Sequence, residues 1–76
     1  MKKLTILGST GSIGLNTLDI VREFPQKFRI EALSCRSSIE QLVKQINEFQ
    51  PRIVCVDKDE QASELRQIFS DTEFVF

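Results

Sequence analysis

Histidine, tryptophan and tyrosine are all missing from this 76-residue sequence. Without imidazole there is no Ser-His-Asp triad, no Cys-His dyad and no His-based zinc site, so catalysis on those patterns is excluded. All six aromatics are Phe. With no Lys/Arg run and no Tyr or Trp to stack on bases, the sequence argues against a nucleic-acid partner. The two cysteines, Cys35 and Cys55, are spaced like neither a disulfide framework nor a metal knuckle, and each reads as a small buried hydrophobe. No run approaches the roughly 18 apolar residues of a membrane span, and Leu4–Leu7 is too short for a signal-peptide core. The expectation is a cytoplasmic chain with no membrane partner.

What is present is an ordinary globular composition, 41% hydrophobic and 28% charged, in a length that allows one small domain with a thin core. Formal net charge is −1, but it is unevenly placed. Residues 1–38 carry six Lys/Arg against three Asp/Glu, and residues 39–76 carry four against eight. This charge asymmetry weakly favours an anionic ligand at the first half.

Hydrophobic runs and stripes alternate along the chain. Leu4-Thr5-Ile6-Leu7 reads as a first strand. The turn Gly8-Ser9-Thr10-Gly11-Ser12-Ile13-Gly14 leads into a helix whose stripe is Ile13, Thr17, Ile20, Val21 and Phe24, with Leu15 and Leu18 off it, and Pro25 stops it. Phe28 to Ser34 reads as a second strand with Phe28, Ile30, Ala32 and Ser34 on one face. Ile39, Leu42, Val43, Ile46 and Phe49 make a one-faced helix closed by Pro51, with capping-box spacing at Ser37/Glu40 and Ser38/Gln41. A third strand, Ile53–Val56, precedes a capping pair Asp57/Glu60 and the stripe Ala62, Leu65, Ile68 and Phe69. Glu73–Phe76 begins a fourth strand. The order β-α-β-α-β-α-β with short connections predicts a Rossmann-like parallel α/β sheet. In the common doubly wound order the strands lie 3-2-1-4, so the fourth strand walls the ligand crevice beside the first. An apolar end on Phe-Val-Phe predicts a fold truncated after about four strands.

Three glycines, Gly8, Gly11 and Gly14, follow a strand and open a helix, which is the context that gives such a motif meaning. A pyrophosphate needs close backbone approach and free amides at a helix start, and it needs no lysine. No basic residue stands between Lys3 and Arg22, and Thr10 and Ser12 add hydroxyl donors. The competing reading is a turn whose glycines serve geometry alone, with Thr10 or Ser12 capping the helix. A Walker loop is excluded because Leu15-Asn16 follows the last glycine. At the end of the second strand, where an NAD site usually offers an acid to the ribose, stands Ser34-Cys35-Arg36-Ser37-Ser38. Arg36 flanked by hydroxyls suits the 2′-phosphate of NADP. Alternation turns Glu31 away from that tip. Here too a bland reading stands open, with Ser37 or Ser38 a simple cap and Arg36 a solvated charge.

The stretch Leu4–Gly14, followed by Thr17-Leu18-Asp19-Ile20-Val21-Arg22 and continuing through Pro25, Phe28-Arg29 and Ala32-Leu33, resembles the N-terminus of the 1-deoxy-D-xylulose 5-phosphate reductoisomerase family. The resemblance implies an NADPH-dependent, metal-requiring (Mg or Mn) oxidoreductase. Such an enzyme isomerises and reduces that sugar phosphate to 2-C-methyl-D-erythritol 4-phosphate in the non-mevalonate pathway of isoprenoid biosynthesis. It implies that Thr10, Gly11, Ser12 and Ile13 line the pyrophosphate and that the tip at Arg36, Ser37 and Ser38 holds the 2′-phosphate. The family often shows a small residue, Gly, a polar or basic residue and Asn where this chain has Cys35, Arg36, Ser37 and Ser38. Metal and substrate residues would lie downstream, and a homodimer is implied for the full enzyme. Residues 1–76 are thus expected to be the N-terminal part of an NADP(H)-binding domain, inactive alone, with catalytic and C-terminal domains absent. The alternative is a small nucleotide-binding regulatory module without catalysis.

Overall fold

A computed structural model of the chain describes residues 1–36 and 38–76. Its elements run β1 (Lys2–Ile6), α1 (Ser12–Glu23), β2 (Phe28–Ser34), α2 (Ile39–Phe49), β3 (Ile53–Cys55), α3 (Asp59–Ile68) and β4 (Glu73–Val75). The alternation expected from the sequence is present, and every strand pairing is parallel.

The strand order is β1-β2-β3-β4, which corrects the expected 3-2-1-4. β4 lies against β3, with Val54 opposite Phe74, and the Arg52 carbonyl accepts from the Glu73 amide at 2.9 Å. The link Phe69–Thr72 reaches this position directly. It leaves Phe74 packed on Phe69, ring centres 6.2 Å apart, with the Phe74 carbonyl accepting from Arg66 Nη2 at 2.7 Å. A place beyond β1 would lie three strand spacings from β3 instead of one, on the order of 14 Å away.

Parallel register puts Ile6, Leu33, Val54 and Phe74 in one row. These residues form the core with Leu18 and Val21 of α1, Leu42 and Ile46 of α2, and Ala62 and Leu65 of α3. The three helices therefore cover one face of the sheet, as right-handed crossovers in a sequential strand order require. Thr5, Ala32, Ile53 and Glu73 form a row on the other face.

The buried face of β2 differs from the alternation that was expected. Leu4 pairs with Ile30 but Thr5 with Ala32, so the register shifts and Glu31 is an extra residue. One inserted residue reverses the parity of everything after it. Leu33 is consequently buried with Ile30, while Ala32 and Ser34 are only partly covered. The bulged Glu31 carboxylate accepts from Arg52 Nε at 2.5 Å, which draws it away from the end of β2, and Arg52 holds its ionisation below the usual carboxylate range.

α1 is also turned from its expected face. Gly14, Leu18 and Val21 are buried, whereas Ile13, Ile20 and Phe24 are exposed. The cause is Gly14: a Cβ there would stand 2.4 Å from the Gly8 carbonyl oxygen and 2.8 Å from Ser9 Cα, so the glycine face is pressed inward and carries Leu18 with it. Of the cysteines, Cys35 is buried as expected but Cys55 is exposed, since its register with Ser34 places it on the open face.

Caps differ in detail. Ser38 is the N-cap of α2 but its hydroxyl makes no capping bond, while Ser37 lies outside the described residues. α3 starts one residue later than Asp57/Glu60 predicts: its N-cap is Lys58, whose amide donates to Gln61 Oε1 at 3.1 Å.

α1 and α2 are tied by a bidentate pair in which Arg22 donates from Nε and Nη2 to the Glu48 carboxylate, with the guanidinium 5.1 Å from the Phe49 ring centre. The bond from Arg22 holds the Glu48 carboxyl below its usual 4.5. A depressed folded value contributes stability that is complete above that pH and fades as pH falls through the folded value. Both side chains are about two-fifths exposed, so solvent limits the pair to about 0.5 kcal/mol. Glu48→Gln should therefore be slightly less stable than the parent at pH 7, with the gap closing below pH 4.5, as read by denaturant titration at both pH values. Gly14→Ala should cost about 2 kcal/mol or more in the same assay, because its Cβ meets backbone that cannot move aside.

Candidate functional site: a glycine turn and helix start at the strand ends

Beyond β1 the chain turns through Gly8, whose φ of 68° is the left-handed conformation that only glycine adopts cheaply. The turn is fixed from two sides. Gly8 N donates to Ser34 Oγ at 3.1 Å and Ser9 N to the Ser34 carbonyl at 2.9 Å, while Gly11 N closes the turn on the Gly8 carbonyl at 3.0 Å. Gly14 then lets α1 sit directly on this turn.

Folding thus explains Gly8 and Gly14, but not Gly11. Its φ is −81°, open to any residue, and an added Cβ would meet only the Gly8 carbonyl oxygen at an ordinary 3.4 Å. Gly11 is exposed, so its missing side chain keeps the outer surface of the turn low. That is what a ligand approaching the backbone requires.

The first backbone bond of α1 runs from Leu15 N to the Gly11 carbonyl at 2.9 Å. Among the described residues the amides of Thr10, Ser12, Ile13 and Gly14 have no carbonyl partner. No acid occupies the first turn, and the Gly11 N-cap receives no side-chain bond. The capping role considered for Thr10 or Ser12 is therefore not played. Ser12 and Ile13 are exposed, leaving a helix start of free donors and partial positive charge that faces outward, a ready seat for an anion.

The second half of the site adjoins the first. Cys35 N donates to the Cys55 carbonyl at 3.1 Å, and Thr10 Oγ1 lies 3.5 Å from Cys35 Sγ, so the glycine turn touches the residue preceding Arg36. The Arg36 carbonyl accepts from Gln61 Nε2 at 3.5 Å. Its guanidinium is exposed and, among the described residues, makes no ion pair. Ser38, two residues on, is exposed, and its hydroxyl is not spent on a cap. Thr10, Gly11, Ser12, Ile13, Arg36 and Ser38 thus gather at the carboxyl ends of β1 and β2, while Ser37 cannot be placed.

One residue of the site was not anticipated. Gln45, in the middle of α2 and buried, donates from Nε2 to the Ser9 carbonyl at 2.8 Å. The available signal was a glutamine three residues after Leu42 and one before Ile46, on the buried side of an amphipathic helix. Among the described residues no group of three or more His, Cys, Asp or Glu side chains is placed to hold a metal ion, so the metal implied by the resemblance has no candidate ligands here.

Residues 4–76 match the family model of 1-deoxy-D-xylulose 5-phosphate reductoisomerase. Curated relatives of that name include those of Shouchella clausii, 46% identical over 100% of this chain and 20% of the relative, and Geotalea uraniireducens, 53% identical over 92% of this chain and 18% of the relative. A crystal structure of a DOX-P reductoisomerase in complex with NADPH, fosmidomycin and magnesium superposes with a TM-score of 0.89 at 35% identity, over 99% of this chain and 19% of that one. The chain spans about a fifth of the length of these proteins. From its fourth residue onward, sequence and fold lead to the same place: the chain belongs to the 1-deoxy-D-xylulose 5-phosphate reductoisomerase family.

Proposed function

We propose that residues 1–76 are the N-terminal part of an NADP(H)-binding domain, in an oxidoreductase that isomerises and reduces 1-deoxy-D-xylulose 5-phosphate to 2-C-methyl-D-erythritol 4-phosphate. The observation that carries this reading is the outward-facing set of unpartnered amides at the start of α1, next to a glycine that folding does not require. The residues fit the cofactor. Thr10, Gly11, Ser12 and Ile13 line the pyrophosphate: the free amides of Thr10, Ser12 and Ile13 donate to it, Gly11 leaves it room, and the Thr10 and Ser12 hydroxyls add donors. Arg36, Ser38 and Ser37 read the 2′-phosphate, Arg36 by a charge-assisted bond that an ammonium or hydroxyl alone does not match. When bound, NADPH supplies the hydride for the reduction. This chain's part is to hold the adenosine end and screen its phosphates from water.

The rest of the enzyme, with its sugar-phosphate site and its Mg or Mn ligands, belongs to the remaining length that relatives carry. By itself this segment is inactive. Membership in a family named for a reductoisomerase activity supports this reading over a regulatory nucleotide module. No helix among the described residues is long and apolar enough to cross a membrane. We further propose a cytoplasmic enzyme, a homodimer acting on a small molecule without nucleic-acid or membrane partners.

Fluorescence titration of the full natural chain tests the assignment. Arg36→Ala should weaken NADPH binding by about 1.5–3 kcal/mol while leaving NADH binding nearly unchanged. Equal loss for both would remove Arg36 as the 2′-phosphate reader. Gly11→Val should weaken both cofactors alike, because a branched side chain stands over the phosphates they share, yet it should leave the melting temperature within a few degrees of the parent.

A further inference from the structure

Gln45 is 4% exposed and Ser9 is wholly buried, and their one bond joins residues far apart in sequence, Gln45 Nε2 to the Ser9 carbonyl at 2.8 Å. Gln45 Oε1 and Ser9 Oγ are also buried, and neither has a hydrogen-bond partner among the described residues. Leucine here would bury no orphan Oε1 but would strip the Ser9 carbonyl of its donor, so the buried amide leaves one oxygen unpaired in order to hold one backbone carbonyl. What it does follows from peptide geometry. The Ser9 carbonyl shares a planar trans peptide with the Thr10 amide, and in such a unit the C=O and N–H point in opposite directions. Holding the carbonyl inward on a buried side chain therefore turns the Thr10 N–H outward, and that amide has no backbone partner. If the peptide rotated, the carbonyl oxygen would face the seat of the anion and repel it.

We infer that Gln45 is a positioning residue for cofactor binding: it pins the Ser9–Thr10 peptide in the orientation that offers the Thr10 amide to the pyrophosphate. This rests on the glycine turn being the pyrophosphate seat. The N-cap of α2 is Ser38, two residues after Arg36, so the helix that carries Gln45 starts close in sequence to the proposed 2′-phosphate subsite. Gln45 acts on the group that NADPH and NADH share, so its loss has no cofactor preference, unlike loss of Arg36.

The test uses the full natural chain, titrated with NADPH and with NADH, and labelled with 15N-threonine for NMR. Gln45→Met keeps the side-chain shape and removes the donor. It should raise both dissociation constants about tenfold or more, the scale of one hydrogen bond to a charged group, raise KM for NADPH while kcat at saturation stays near the parent's, and move the Thr10 amide resonance of the free protein. A folded Gln45→Met variant with unchanged affinities overturns the inference. Should that variant not fold, the parent decides: its Thr10 amide must shift strongly on adding NADPH, and a resonance that stays put overturns the inference equally. Gly11→Val separates the two levels. If it fails to weaken either cofactor, the turn is not the pyrophosphate seat; if it weakens both while Gln45→Met weakens neither, only the role of Gln45 falls.

Discussion

The close approach of α1 to the turn that precedes it is the constraint on which the rest of this architecture hangs. Gly14 brings helix backbone to a distance from the Gly8 carbonyl at which no side-chain carbon fits. That contact fixes the rotation of α1 about its axis, and the rotation decides that Leu18 and Val21 enter the core while Ile13 and Ile20 face outward. It also decides where the first amides of the helix point. Core packing and the direction of the helix start are set by the same contact.

The division of labour among the three glycines follows. Gly8 is there for its backbone angle and Gly14 for the space it yields, both demands of folding. Gly11 meets neither demand, so folding alone does not account for a glycine there. At the tip of β2, likewise, Cys35 is buried and in contact with Thr10 while the next residue, Arg36, is exposed and, among the described residues, makes no ion pair. Glu31, the nearest acid on the strand, is drawn off by Arg52.

The alternation of elements and the glycine turn were legible because periodicity and turn chemistry are local properties of a sequence. α2 was readable end to end, since Ile39 to Phe49 repeat on one face and Pro51 closes the pattern. What escaped reading was non-local. The bulge at Glu31 reverses the facing of Leu33 but leaves no local mark, because Phe28 to Ser34 alternates plausibly without it. The position of β4 depends on which neighbour it pairs with, and right-handed crossovers permit both choices. Gln45 has a meaning only once Ser9 is known to lie under it. The face of α1 follows the steric demand of Gly14 and not its apolar spacing, because that demand outweighs the transfer energy of an exposed isoleucine.

The sequential strand order also bears on how the sheet is made. Each strand pairs only with its neighbours in the chain, so every loop closed during assembly is a single β-α-β crossover and none must wait for a distant segment. Such a topology has a low contact order for a parallel sheet, and the entropy of each closure is met by the pairing it completes. Strands can therefore be laid down in the order of synthesis, with β1 and β2 already joined around the glycine turn before β4 leaves the ribosome. The glycine turn, the start of α1 and the end of β2 would then be among the earliest parts of the protein to meet, in place while β3 and β4 are still being translated.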